Sequence, residues 1–385
     1  MFLGRSARRV GRVFGAGSLV CATVAGCTIQ LPVSSSADHN LASPYSELVP
    51  KPDPFLSPKS VNDSVNGKTK LEDRLAVATF AAASRGASLA VAYRDRSKSP
   101  AVTVSNGEAA LQIQAPIASL TKLWIADHLL YEDSLWANKP KADPPDPNRV
   151  ELSADDRNDI EAILKNSDDA AAWRLWAKHG RAGIVDEIKD RYKLGDSTVP
   201  PPDGTWWNVL STPGDIVAYY DQLLAQQNAS APDDASQDDK NALAAWKNAA
   251  SQVVQNLEHY DATQTGSCYE TEKKEKRQCG AAQSFGFPQA LPSEHPEGTN
   301  LFGVKQSRMC CVEDHWVYWS TAIDLSNNRN AVLVALSVER VDPTGSSVNE
   351  QRYASTQVTD DDSAKHAAVT LTGALMRAFP EGKLP

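Results

Sequence analysis

Apolar positions along this chain fall into two kinds of run. Ala87–Arg94 and Ala101–Ser105 are short, compact apolar stretches that read as strands, and three more follow Gly298: Leu301–Gln306, His315–Ile323 and Ala331–Glu339. Between and after these sets the spacing changes to that of a helix, over Ser119–Trp136, Asp155–Asn166, Ile216–Gln227 and Asp239–Tyr260, and again in the closing segment Ser363–Phe379. In that last segment Ala368, Leu371, Leu375 and Ala378 fall on one stripe. Thr212-Pro213-Gly214-Asp215 carries a cap residue, a proline suited to the first helical position and a first-turn acid, so it marks a helix start. Strands at both ends of a region with helices between them predict one α+β domain over residues 75–385, in which both ends build a single antiparallel sheet.

The amino terminus follows a different pattern. Arg5, Arg8, Arg9 and Arg12 precede the apolar segment Val13–Ala25, which is too short to span a bilayer and predicts an export signal. The segment ends in Val24-Ala25-Gly26-Cys27, which resembles a bacterial lipobox. That resemblance implies removal of residues 1–26 and acylation of Cys27, leaving the protein lipid-anchored at the outer face of the cytoplasmic membrane. An ordinary secretory signal is the alternative, and it too places the protein outside the cytoplasm. Residues 28–74, rich in Ser, Pro, Asn and Asp without periodicity, read with Cys27 as a tether.

Charge removes some classes of function. Loss of the signal takes away four arginines and no acid, moving the formal charge from −9 to −13, and no lysine–arginine stripe offsets it. Nucleic acid is therefore not an expected partner. The seven histidines are scattered and no Cys-x-x-Cys exists, so neither a metal nor another cofactor is expected. Cys268, Cys279, Cys310 and Cys311 lie in an exported chain where disulfides persist. Three pairings exist; joining Cys310 and Cys311 crosswise to Cys268 and Cys279 avoids a strained bridge between adjacent residues. Two motif fragments are set aside: Gly67-Lys68-Thr69 lacks the earlier glycine and strand of a phosphate loop, and Gly195-Asp196-Ser197 follows no strand. The nine tryptophans, Trp206-Trp207 among them, are assigned to the core rather than to glycan stacking.

The chemistry concentrates in Ser119-Leu120-Thr121-Lys122, the only Ser-x-x-Lys of the chain. Three residues apart on a helix, hydroxyl and amine share a face, and a desolvated lysine can take the serine's proton. Ser167-Asp168-Asp169 and Lys305-Gln306-Ser307 follow in that order. In these three segments the chain resembles the serine β-lactamase and D-alanyl-D-alanine peptidase superfamily, and within it the class A β-lactamase-related envelope lipoproteins of actinobacteria. The resemblance implies Ser119 as nucleophile, Lys122 as its base, Ser167 as proton relay and Lys305 as the cation for a substrate carboxylate. The backbone N–H groups of Ser119 and Arg308 would form the oxyanion hole. It also implies a peptidoglycan stem peptide or a β-lactam-like molecule as ligand.

Three departures qualify the activity. Asp169 stands where an asparagine is expected and would raise the pKa of Lys122; Ser307 replaces a glycine; and Gly195–Ser211 holds no glutamate, only Asp196 and Asp203. The expectation is a degenerate relative that binds peptidoglycan-related ligands or envelope partners, with an active serine acyl-enzyme as the second reading.

Overall fold

The computed structural model describes residues 70–137, 149–260, 267–269, 276–278, 285–291, 302–312, 315–325, 331–340, 360–382 and 384–385. The signal, Cys27 and nearly all of the tether lie outside them. So do residues 138–148, Cys279 and the side chains of Cys268, Cys310 and Cys311.

Helix α1, Leu71–Ala83, opens the domain and leads into β1, Ala87–Asp95, and β2, Val102–Ser105. After a helical turn, α2 (Glu108–Leu111), and a short strand β3 (Ala115–Pro116), the middle is helical: α3 (Thr121–Ala137), α4 (Ala154–Lys165), α5 (Asp169–Lys178) and α6 (Ala182–Tyr192). Strand β4, Leu210–Ser211, pairs with β3 ahead of α7 (Pro213–Gln226) and α8 (Gln237–Glu258). The ribbon β5–β6 (Ser267–Tyr269 and Lys276–Gln278) and the turn α9 (Phe287–Ala290) precede β7 (Phe302–Val312), β8 (His315–Asp324), β9 (Ala331–Arg340) and α10 (Asp360–Ala378).

The main sheet runs β2-β1-β9-β8-β7 and is antiparallel throughout, with Ala87 opposite Glu339 and Asp95 opposite Ala331. Both ends of the domain thus build one sheet, as expected. Period-two alternation sends the two sides of each central strand into different cores. From β9, Val332, Val334, Leu336 and Val338 meet the helical middle, whereas Ala331, Leu333 and Ala335 meet α1 and α10. Both faces being covered, the strand reads as an unbroken apolar run.

Local chemistry sets the helix starts. Thr212 accepts from the Asp215 N–H with Pro213 in the first turn, as expected, and Ser236 accepts from the Asp239 N–H, starting α8 two residues earlier than expected. Ser153 and Asp156 form a reciprocal capping box on α4. Helix α1 is absent from the sequence-based reading, although Leu71, Leu75, Ala78 and Ala82 all lie buried along it. Alanine at half of a stripe weakens the contrast on which that reading depends.

Gly303 fits where β7 meets α8, for a Cβ there would sit 3.0 Å from Ile323 Cγ1 and 3.2 Å from Leu257 Cβ. This close approach brings β7 against the helical layer. On β7, Phe302 and Val304 enter the α1–α10 core, so the intervening positions Lys305 and Ser307 face the helices and the first-motif turn.

Candidate active site

The three segments singled out by the sequence meet in one place. Ser119 sits in a 3₁₀ turn, Ala118–Leu120, that runs directly into α3, and Lys122 follows in the first turn of that helix with no exposed surface. Lys122 Nζ lies 3.1 Å from Ser119 Oγ, 3.1 Å from Ser167 Oγ and 2.6 Å from the Ser167 carbonyl, and it pairs with the Asp169 carboxylate. Asp168 caps α5 by accepting from the Ala171 N–H at 2.8 Å, which sets Asp169 at the helix start, where its side chain is 49% exposed. Two non-glycine residues adjoining these groups have left-handed backbone, Ala118 (φ 42°) and Ser167 (φ 54°). Each such conformation costs roughly 1–3 kcal/mol and persists only where surroundings hold it.

At Ala118 the holding contact is visible. Ser307 Oγ accepts from the Ser119 N–H at 2.9 Å and donates to the Ile117 carbonyl at 2.7 Å, clasping the peptide groups on either side of Ala118. Ser307 is buried. One donor assigned to the oxyanion hole is therefore already bonded to a side chain of the protein itself. Arg308, assigned the second donor, borders the cleft described below.

Burial pushes the Lys122 amine below its ordinary value of 10.5, and Asp169 opposes that shift. Asp169 acts upward on the lysine, as expected, but the net shift is downward because desolvation of a wholly buried amine outweighs a half-exposed carboxylate. A neutral amine has two hydrogens, enough for the Ser167 carbonyl and Asp169, with its lone pair left for a serine hydroxyl. The geometry accommodates proton transfer from Ser119 Oγ to Lys122.

Lys305 is buried on the opposite wall. Its Nζ donates to the Ile163 carbonyl at 2.7 Å, near the end of α4, and desolvation together with the nearby Lys122 holds it well below its ordinary value. Lys305, assigned to a substrate carboxylate, is not among the residues that line the cleft described below.

The two acids of Gly195–Ser211 face elsewhere. Asp196 is fully exposed beside Lys189, and Asp203 accepts from Thr205 and Asn208 within its own turn. The loop presents Trp206 instead, whose ring lies 4.8 Å from Lys122 Nζ. Trp206, Trp207 and Trp173 line a cleft of about 760 Å³ together with Ser119, Asp169 and Arg308. The core assignment of the Trp206-Trp207 pair holds for Trp206, which is buried, but Trp207 is 36% exposed and Trp173 42%. Aromatic residues in a polar loop were the available signal. Among the described residues no cluster of His, Cys, Asp or Glu is arranged to hold a metal ion, and no helix is long and apolar enough to cross a bilayer.

No protein-family model matches the chain. Curated relatives do: the Mycobacterium tuberculosis and Mycobacterium bovis proteins provisionally named lipoprotein LppW are 30% identical over 369 residues, covering 94% of this chain and 94% of theirs. Among solved structures, a β-lactamase from Burkholderia vietnamiensis matches at 14% identity with a TM-score of 0.46, covering 83% of this chain and 100% of that one. A β-lactamase from Xanthomonas campestris pv. campestris gives 14% identity and the same TM-score, covering 80% and 98%.

Proposed function

The chain belongs to the family of the mycobacterial LppW proteins, and from that premise we propose that it is a cell-envelope lipoprotein whose β-lactamase-like domain binds peptidoglycan-related ligands or envelope partners and is degenerate as a hydrolase. The observation that carries the proposal is the hydrogen bond from the Ser119 N–H to Ser307 Oγ. An oxyanion hole stabilises a transition state only if its donors are free to meet the developing charge. Here one donor must first leave a buried hydroxyl that is itself held by the Ile117 carbonyl. Trp206 adds to this. With its ring beside Lys122, it offers no carboxylate to activate a deacylating water.

The second reading, an active acyl-enzyme, is favoured by one observation: Lys122, lowered by burial, lies within hydrogen-bond reach of both serine hydroxyls. Fluorescent penicillin separates the two. The degenerate site forms at most a slow, long-lived adduct on Ser119 and turns over no cephalosporin. Rapid turnover abolished by Ser119→Ala would overturn the proposal.

The lipoprotein name of the relatives supports the anchor read at Val24–Cys27. The mature amino terminus is expected at a lipidated Cys27, placing the domain at the outer face of the cytoplasmic membrane. Mass spectrometry of a soluble, unlipidated chain beginning elsewhere would refute this. Disulfides joining Cys268 and Cys279 to Cys310 and Cys311 remain part of the proposal, with non-reducing peptide mapping as their test.

A further inference from the structure

The main sheet is incompletely covered at one corner, on the side that faces α1 and α10. β2 is its outermost strand, pairing with β1 so that Val104 lies opposite Tyr93 and Val102 opposite Asp95. Val102 and Val104 alternate onto the same side of the sheet, and Val104 packs with Tyr93 and Leu71 in the α1–α10 core. Helix cover starts only at Leu71, and Val102 is left 46% exposed. The result is a groove of about 570 Å³ lined by these side chains and Pro100. Burial, Asp95 and Asp324 push the Tyr93 hydroxyl up to about 12, so this part of the lining is uncharged at neutral pH. At the rim, Lys70 and Lys98 are matched by Glu72 and Asp95. That balance gives a strongly charged partner no net attraction, and an apolar one suits the lining.

The chain enters the domain at this same corner. Lys70, the first of the described residues, itself lines the groove, so the tether reaches the domain there. Going back along the tether from Lys70, Val65 and Val61 stand alone, and the nearest adjacent pair of large apolar side chains is Phe55-Leu56. Residues 57–69 separate that pair from Lys70, and a coil of this length spans about 20 Å root-mean-square. A segment held on so short a connection has an effective concentration in the millimolar range. Contacts too weak to hold a free peptide therefore suffice to hold this one. Pro50, Pro52, Pro54 and Pro58 bracket the pair. Each fixes its own φ and turns the residue before it away from helix, so an extended chain loses less freedom on docking.

We propose that residues 53–58 dock in the groove between α1 and β2 as an intramolecular strap, with Phe55 and Leu56 covering Val102. The strap leaves residues 28–52 as the free connection between Cys27 and the domain, and it rests on no feature of the Ser119 centre. Its test is photo-crosslinking in the intact lipoprotein, purified in detergent and carrying p-benzoylphenylalanine in place of Phe55, with the products mapped by peptide mass spectrometry. A crosslink within one chain to residues 93–104 is expected. Val102→Glu and, independently, Leu56→Asp should each lower its yield at least tenfold with an unchanged melting temperature. Leu56→Asp changes only the tether, so it remains decisive if Val102→Glu disturbs the sheet. Absence of the crosslink, or crosslinks scattered over other surfaces, would overturn the strap. So would a yield unchanged by Leu56→Asp, or unchanged by Val102→Glu in a protein that melts as the wild type does. Crosslinks between two chains, running as a dimer on a denaturing gel and increasing with protein concentration, would assign the groove to a second copy and overturn the strap as well.

Discussion

The α3 and β7 walls of the candidate centre each carry a buried lysine, and they treat it differently. On the α3 wall, Lys122 has a carboxylate, a carbonyl and two hydroxyls within reach. On the β7 wall, the Lys305 amine donates to the Ile163 carbonyl and has Lys122 for an electrostatic neighbour. Desolvation lowers both, but only Lys122 has a directly bonded anion to restrain the shift. The lesson is that a motif lysine's chemistry depends on its partners more than on its burial. The α3 wall retains the parts for proton transfer. The β7 wall contributes Ser307, whose hydroxyl clasps the turn that carries Ser119.

The strongest way to break this contrast is to remove the clasp. Ser307→Gly combined with Asp169→Asn should speed penicillin labelling of Ser119 by about 10²-fold, the scale of one oxyanion-hole donor. A labelling rate unchanged in the double variant that still folds would mean that the clasp is not what limits acylation. Ser307→Gly alone should also destabilise the domain by about 1–3 kcal/mol, because it removes two hydrogen bonds of a buried hydroxyl and leaves the Ser119 N–H without that partner, while the Ile117 carbonyl still accepts from the Leu120 N–H; urea unfolding measures this.

Asp169→Asn alone tests the anion on the α3 wall. Removing one partner of a fully buried pair costs about 3–5 kcal/mol, but Asp169 is half exposed, so a loss of about 1–2 kcal/mol is expected at pH 7. An equal loss from Lys305→Met would erase the distinction between the walls. That variant should change stability by under about 1 kcal/mol, since replacing a buried charge with an apolar side chain of similar size offsets the lost hydrogen bond.

Proton linkage sharpens the same point. Lys305 has a folded pKa well below the 10.5 of the unfolded chain, so the unfolded state binds more protons between those values. Wild-type stability relative to Lys305→Met should therefore rise from neutral pH toward pH 10, as urea titrations at pH 7 and 9.5 would detect. A further pH effect is expected away from the cleft. Burial, Arg191 and His179 push His128 down to about 3. Its contribution is complete above pH 6.5 and lost as pH falls from there toward 3. Asp127, raised by burial, titrates in the opposite sense, so the informative quantity is the difference between wild type and His128→Asn.

Much of the frame is legible in residue order. The apolar runs at both ends foretell the shared sheet, and Thr212-Pro213 foretells the start of α7, because strand burial and helix capping are local consequences of side-chain type. The candidate centre is legible as three separated segments. Its nucleophile and base need only helical spacing to meet, whereas Ser167, Lys305 and Ser307 reach them through chain segments far apart in sequence. Alanine-rich α1 escapes because its stripe is too small to stand out, and the exposed pair Trp173 and Trp207 escapes because an indole's residue type does not say which neighbour leaves it uncovered.

By itself the sequence determined the five sheet strands, the long helices other than α1, α5 and α6, and the order of the motif segments, since periodicity, caps and turns act within a few residues. Tertiary structure alone decided that Ser307 would bond the Ser119 N–H, that desolvation would outweigh Asp169 at Lys122, and that Trp207 would face the cleft. Each outcome depends on distances and solvent access between segments brought together by folding. A hydroxyl bridge needs atoms near 3 Å apart, and a pKa answers to the water that packing has removed.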